Sequence, residues 1–315
     1  MSSSSPTNAT PSPTEVYTLA DLERWERPGP STAALGHPVA HSVSPQLHNA
    51  ALAELSRTKP ALKNWMYFKF DVTPEQLPVV LPLFESKNFA GLNLTLPLKV
   101  AVVPLLREIS DIGRAMGATN TLKRLPGGGW WGNNTDGYGM SQSIQRDLGV
   151  NIAGKTVALL GTGGAARAAA VQCLMEKCEH LWIGGRRAHA ELHGFFHGDP
   201  RMQYFNIAKP PFEKWPDDML IINATSLGLR HGDALPMDIT RLKPAAAVLD
   251  MVYRRGETTP FVEAARKHGL RGADGVGMLV WQGALVFEIW TGEKAPAQTM
   301  MDAACKALDL PTRNA

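Results

Sequence analysis

Lys155-Thr-Val-Ala-Leu-Leu-Gly-Thr-Gly-Gly-Ala-Ala-Arg167 sets an apolar run, a glycine turn and an alanine-rich stretch in direct succession, and reads as strand, turn and helix. Gly161 can take the backbone angles of a tight turn, Gly163 lets a phosphate approach the main chain without meeting a side chain, and Ala166 is small enough for helix to pack on strand. The N–H groups that open the following helix, over residues 165–174, then face an anion. Thr162, Gly164 and Ala165 complete the loop as candidate cofactor contacts. Because a bare G-x-G-x-x-A also occurs in turns that bind nothing, the weight rests on what surrounds it.

Toward the C-terminus, Glu179-His-Leu-Trp-Ile183 reads as the next strand and ends in Gly184-Gly-Arg-Arg187. An NAD-binding unit usually sets an acid near this point for the ribose hydroxyls, and none stands here. Arg186 and Arg187 supply planar positive donors suited to a 2′-phosphate, so the cofactor expected is NADP. His189, His193 and His197 recur at helical spacing, but Gly194 and Gly198-Asp-Pro200 break the helix; a polar surface face is the better reading, and no metal is expected. Apolar strands at 219–222 and 246–249 end in Asn223-Ala-Thr-Ser-Leu-Gly228 and Asp250-Met-Val-Tyr253, both expected to border the cofactor. Gly272-Ala-Asp-Gly-Val-Gly277 leads into an apolar helix at 278–291 with one conspicuous polar residue, Gln282, whose amide needs a partner that a ligand hydroxyl could supply.

Toward the N-terminus, strand and helix patterns alternate from Ser31: strands at 31–35, 64–72 and 90–95, helices at 45–55, 74–84 and 99–109. This alternation predicts an α/β domain with a largely parallel sheet. In Gly36-His-Pro-Val-Ala-His-Ser-Val-Ser-Pro45, Ser42 and Ser44 stand just before a proline favoured at a helix start, so their hydroxyls and the helix N–H groups can converge on a carboxylate. The plainer alternative makes Ser44 a helix cap. His37, His41 and His48 have no compact metal-ligand spacing and are read as structural. In Gly91-Leu-Asn-Leu-Thr-Leu-Pro-Leu-Lys99, Asn93 and Thr95 share one strand face. A lysine at a helix start opposes the macrodipole there, which marks Lys99 as a working group. Asp136 either caps the helix at 138–148 or pairs with Lys99 as an acid/base couple, and Asn120 and Asn133 are neutral donors and acceptors suited to a polyhydroxylated ligand.

The 315 residues suit two domains, and 44% apolar with 19% charged residues indicate a soluble globular protein. A net charge of +3 without basic runs argues against nucleic acid as a partner. No apolar run approaches the ~20 residues that span a bilayer, and no secretory signal opens the chain, so a cytoplasmic location is the default. Cys173, Cys178 and Cys305 read as small buried apolar residues. Residues 1–30, rich in Ser, Thr and Pro, are expected to be a disordered tail carrying at most a short surface helix at 17–26. The assembly is left open, a homodimer included.

These loops together resemble the shikimate dehydrogenases, which carry G-x-P-V-x-H-S-x-S-P, G-x-N-x-T-x-P-x-K, G-A-x-N-T, G-x-N-T-D-G and G-x-G-G-A-x-R in this order. All five stand here, at 36–45, 91–99, 117–121, 132–137 and 161–167. The resemblance spans about residues 31–308. It implies two domains separated by an active-site cleft: an open, mostly parallel α/β substrate domain, 31–136 plus 276–315, and a Rossmann-like NADP-binding domain, 137–275. By the same resemblance Ser42 and Ser44 hold a substrate carboxylate, Thr95, Asn120 and Asp136 bind hydroxyls, and Lys99 with Asp136 forms the catalytic pair. Tyr253 and Gln282 also reach the substrate, while Met251 and Gly275 lie with the cofactor. The implied reaction is NADP-dependent reduction of 3-dehydroshikimate to shikimate, a step of aromatic amino acid biosynthesis. The chain departs from the family's N-R-T-x-x-R at Gly185-Arg-Arg-Ala-His-Ala190: Arg186 matches, the asparagine and second arginine are missing, and Arg187 is the candidate substitute. A quinate or quinate/shikimate dehydrogenase is the nearest alternative, opposed by the paired serines and the absent ribose-binding acid. A catalytically silent NADP sensor is disfavoured by the intact Lys99 and Asp136.

Overall fold

Ser31–Gly36 is buried at every position, which for a run of six residues means a strand covered on both faces. It is central to one of two sheets in the computed structural model, which describes residues 11–186 and 198–315. The chain divides into two units, Met1–Asn134 with Ile289–Gly292, and Thr135–Glu288 with Glu293–Ala315.

In the first unit the strands are β1 (Val16–Tyr17), β2 (Ser31–Gly36), β3 (Met66–Asp71), β4 (Phe89–Leu94), β5 (Glu108–Ile109), β6 (Thr121–Arg124) and β7 (Trp130–Asn133). Their order is β1-β3-β2-β4-β6-β7-β5. The first four in that order run parallel, and β6 returns antiparallel to β4 before forming a hairpin with β7. Trp25, Phe68, Phe70, Phe84 and Phe89 form an aromatic core, with Trp25 on Phe68 at 4.8 Å and Phe84 on Phe89 at 4.7 Å, both edge to face.

Two expectations fail in this unit. The segment 11–30 is not an unordered tail: Val16 and Tyr17 pair with Lys69 and Phe70, and Leu22 and Trp25 are buried in the aromatic core. Burying each of those two side chains contributes roughly 2–3 kcal/mol, enough to order a segment whose composition is otherwise polar. Residues 1–10 lie outside the described residues. The helix expected at 99–109 is instead a helix of four residues, Leu98–Ala101, a 3-10 turn at Val103–Leu105, and β5. Pro104 lacks the N–H that a continuous α-helix through this segment would need.

Gly91 explains how the short segment Ile289–Gly292 joins this unit. A Cβ there would lie 2.0 Å from Nε1 of Trp290, whose indole N–H donates to the Leu122 carbonyl at 2.9 Å. Only a residue without a side chain lets the indole lie on β4.

In the second unit β8 (Thr156–Leu160), β9 (His180–Gly185), β10 (Met202–Asn206), β11 (Leu220–Asn223), β12 (Ala247–Asp250) and β13 (Arg271–Ala273) form a wholly parallel sheet. Its order is β10-β9-β8-β11-β12-β13, which counted within the unit is 3-2-1-4-5-6. This is the doubly wound order of dinucleotide-binding folds, and the strand order reverses between β8 and β11, where such sheets bind ligands. The helix Gly164–Met175 packs Ala166, Ala169, Ala170 and Cys173 into the core behind β8.

Candidate functional site

The glycine loop leaves β8 at that reversal point. Gly161 has φ +117°, and a Cβ on it would stand 3.0 Å from the Ala224 carbonyl oxygen at the end of β11, so glycine is required twice over. Gly163 and Gly164 differ: both are exposed, and an added Cβ would meet nothing within 4 Å. The space in front of them is therefore open for a ligand. Gly163 is the N-cap of the helix Gly164–Met175, with no side-chain cap and no acid in the first turn, so the helix's own first turn sets no carboxylate against its opening N–H groups and positive end. Thr162 is half-buried and Ala165 exposed beside them.

A cavity of about 220 Å³ adjoins the loop, lined by Thr162, Ile183, Gly185, Arg186, Tyr204, Phe205 and Asn206. Its wall includes one guanidinium residue, two hydroxyl residues and one amide residue but, among the described residues, no carboxylate. That donor set fits a phosphate-bearing adenosine and would leave bare ribose hydroxyls without an acid to accept from them. Arg187 and the three histidines at 189, 193 and 197 lie outside the described residues. Among the described residues no group of three or more His, Cys, Asp or Glu is placed to hold a metal.

On the other side of the reversal point, a buried polar network that sequence reasoning missed shapes the loops after β11 and β12. Asp250 is fully buried and accepts from Asn223 Nδ2 at 2.8 Å, Thr259 Oγ1 at 2.7 Å and the Val252 N–H at 3.1 Å. Burial raises its carboxyl pKa, while those three bonds pull it back. Asn223 Oδ1 accepts from the N–H and hydroxyl of Thr225. A Cβ on Gly275 would lie 2.3 Å from the Met251 carbonyl oxygen, and the Gly275 N–H donates to Val252, so this glycine locks the backbone carrying Met251. Tyr253 follows, half-buried, with its hydroxyl pKa raised by desolvation.

Asp136 is the first residue of the helix Asp136–Leu148; the N-cap is Thr135, so the capping role does not fall to the aspartate. Gly139 lets this helix meet the helix Val276–Thr291, since a Cβ there would lie 2.6 Å from the Met278 carbonyl and 2.8 Å from Gln282 Cβ. Asp136 and Gln282 are thereby brought to neighbouring helix faces. The Gln282 amide donates to Leu279 at 2.8 Å, and Thr135 Oγ1 reaches its oxygen at 3.5 Å, so part of the demand for a partner is met within the protein.

In the first unit the remaining candidates collect where the parallel strands end. Ser42 and Ser44 follow β2; Ser44 is the first residue of the helix Ser44–Leu55, whose N-cap is Val43 with no side-chain cap. Ser44 therefore does not cap the helix, and Ser42 Oγ accepts from its N–H at 3.3 Å. Thr95 follows β4 and is exposed, with its N–H on the Leu35 carbonyl. Half-buried Lys99 lies one turn on, and its carbonyl accepts from Thr119 at 2.8 Å. Asn120 precedes β6 and is buried; its N–H donates to Asn133, its carbonyl accepts from Leu94 and Asn93 Nδ2, and its Oδ1 accepts from Thr121 Oγ1 at 2.8 Å. Below them His48 lies stacked on Tyr67 at 4.4 Å, its pKa lowered to about 3 by burial, which fits the structural role expected for it. His37 Nδ1 and Asp71 Oδ1 are paired at 2.5 Å.

A glycine loop at the reversal point of a 3-2-1-4-5-6 sheet, with a second α/β unit that gathers hydroxyls, amides and one lysine at its strand ends, defines a two-unit dinucleotide-binding protein as the class. Residues 34–122 match the family model described as shikimate dehydrogenase substrate binding domain, and residues 275–305 match the shikimate 5′-dehydrogenase C-terminal domain. The chain belongs to the shikimate dehydrogenase family. It is 37% identical over 287 residues to the shikimate dehydrogenase (NADP(+)) of Geobacter metallireducens, covering 87% of this chain and 95% of that one. Among solved structures it is similar to shikimate 5-dehydrogenase from Thermus thermophilus in complex with NADP(H) and shikimate, with a TM-score of 0.75, 34% identity, and coverage of 88% of this chain and 99% of that one. The ligand-free 5-ketofructose reductase of a Gluconobacter species gives a TM-score of 0.77 at 28% identity over 89% of this chain and 99% of its own. Among the described residues, no helix is long and apolar enough to cross a membrane.

Proposed function

We propose that the protein catalyses the reversible NADP-dependent reduction of 3-dehydroshikimate to shikimate, in the cytoplasm, as a step of aromatic amino acid biosynthesis. The observation that carries the cofactor is the cavity beside the glycine loop, which offers Arg186, Thr162 and Asn206 and, among the described residues, no acid. Gly161, Thr162, Gly163, Gly164 and Ala165 would cradle the pyrophosphate with Arg186 at the 2′-phosphate, and Met251 and Gly275 would border the nicotinamide. When bound, NADPH supplies a hydride to the carbonyl carbon of the substrate.

The protein's own residues supply the rest. Ser42 and Ser44, at a helix start with no side-chain cap and no acid in its first turn, bind the substrate carboxylate. Thr95, Asn120, Asp136, Tyr253 and Gln282 orient its hydroxyls. Lys99 and Asp136 deliver a proton to the oxygen that becomes the new hydroxyl, and take it back in the reverse direction. The quinate alternative is not favoured: the curated relatives of 33–37% identity are named shikimate dehydrogenase (NADP(+)). Comparing oxidation of shikimate and quinate with NADP and NAD tests the assignment. Shikimate with NADP should be the fastest pair, and faster NAD-dependent quinate oxidation would overturn it.

A further inference from the structure

The end of β9 poses a problem for the cofactor reading. In dinucleotide-binding sheets the side chain at the end of the second strand recognises the ribose substituent, yet here that strand ends in Gly184 and Gly185. Neither position offers a side chain, and one at Gly184 would have to displace the Phe205 ring, whose Cζ would lie 2.5 Å from the new Cβ. Arg186 is left as the one charged donor in the cavity wall among the described residues.

The neighbouring strand supplies what is missing. β10 runs parallel to β9 in a register that sets Asn206 directly beside Gly185, about 4.8 Å away across the sheet. Asn206 is exposed and lines the same cavity as Arg186 and Thr162. Its Oδ1 accepts the Ala208 N–H at 2.9 Å, which fixes the orientation of the amide and leaves Nδ2 as a donor. The turn itself does not call for an amide, since an aspartate closes such a turn equally well. The neutral, donating member of that pair is the one compatible with a phosphate beside an arginine.

We propose that Asn206 is the second donor to the adenosine 2′-phosphate, standing in from the adjacent strand for the side chain that Gly185 lacks. The proposal rests on the NADP reading of the glycine loop. Asn206 thereby becomes a determinant of NADP over NAD, working with Arg186 in the wall of the same cavity.

The test is titration calorimetry of the full chain with 2′,5′-ADP and 5′-AMP, which differ only in the 2′-phosphate. Asn206→Asp keeps the acceptor for Ala208 and places negative charge at the site. Asn206→Ser keeps an acceptor and removes the amide donor. The wild-type protein should bind 2′,5′-ADP at least about tenfold tighter than 5′-AMP. Asn206→Asp should abolish that preference, Asn206→Ser should reduce it about tenfold or somewhat less, and 5′-AMP affinity should stay within about twofold in both. If the wild type shows the preference and both variants retain it, Asn206 has no such role while the NADP reading stands. If the wild type itself shows no preference for 2′,5′-ADP, the cofactor reading falls and this inference with it.

Discussion

Replacing Gly163 by alanine separates cofactor binding from folding, because at this position the folded protein has room for a side chain and the proposed ligand does not. The backbone at Gly163 is extended, φ −81° and ψ −171°, which alanine adopts freely, and the new methyl would meet nothing within 4 Å. Alanine is a poorer N-cap than glycine by roughly 0.5–1 kcal/mol, but it narrows the unfolded ensemble by about as much. Stability should therefore change by less than about 1 kcal/mol, which in a chain of this size moves Tm by no more than about 2–4 °C. The methyl would, however, point into the space that the pyrophosphate needs. Losing one or two hydrogen bonds to a charged group, at about 1.5–3 kcal/mol each, weakens NADPH binding by about tenfold to a few hundredfold. Thermal unfolding and calorimetric titration on the same sample measure both quantities. Gly161→Ala is the contrasting variant: with φ +117° and the Ala224 carbonyl 3.0 Å from the new Cβ, it should lose about 1–3 kcal/mol of stability. A folded Gly163→Ala protein that binds NADPH within about twofold of wild type would refute the assignment of this loop to the cofactor.

Other outcomes follow from the first unit. Lys99→Ala should lower kcat by about two to four orders of magnitude with a much smaller change in substrate affinity, as expected for a proton-transfer group; an unchanged kcat would remove Lys99 from the chemistry. Gly91→Ala should destabilise by about 2–3 kcal/mol in urea unfolding, because its methyl collides with Trp290 and displaces the indole bond to Leu122. His48 is buried with its pKa lowered from 6.5 to about 3, so below pH 6.5 the unfolded chain binds a proton that the folded protein refuses. Its contribution to stability is thus constant at neutral pH and falls by about 1.4 kcal/mol per pH unit on acidification. His48→Phe should accordingly lose about 2–3 kcal/mol less than wild type between about pH 6.5 and pH 4.5, and parallel losses in the two proteins would mean that His48 is protonated in the folded state.

The sequence carried the parts of the fold that are local. The strand, turn and helix around Gly161 are written in consecutive residues, and so is the alternation after Ser31. What escaped was set by distant partners. Leu22 and Trp25 looked like a weak surface helix in a polar tract because the aromatic floor that receives them comes from Phe68, Phe70 and Phe89, further along the chain. Gly91 shows no reason for being glycine until Trp290 is seen lying on it. The bent path of residues 98–109 did have a local signal, Pro104, which the apolar spacing around it obscured. At the site, glycine loops, paired serines and the lone lysine were legible as chemistry. The Asp250, Asn223 and Thr259 network and the pairing of Asn206 with Gly185 were not, since each depends on which strands become neighbours.

The most direct test of the account is the oxidation of NADPH by the purified protein in the presence of 3-dehydroshikimate, followed at the absorbance of the reduced nicotinamide, with NADH run in parallel. Rapid oxidation of NADPH that depends on 3-dehydroshikimate, with NADH much slower, is the predicted result. No substrate-dependent oxidation by a folded protein, or oxidation of NADH as fast as of NADPH, would contradict it.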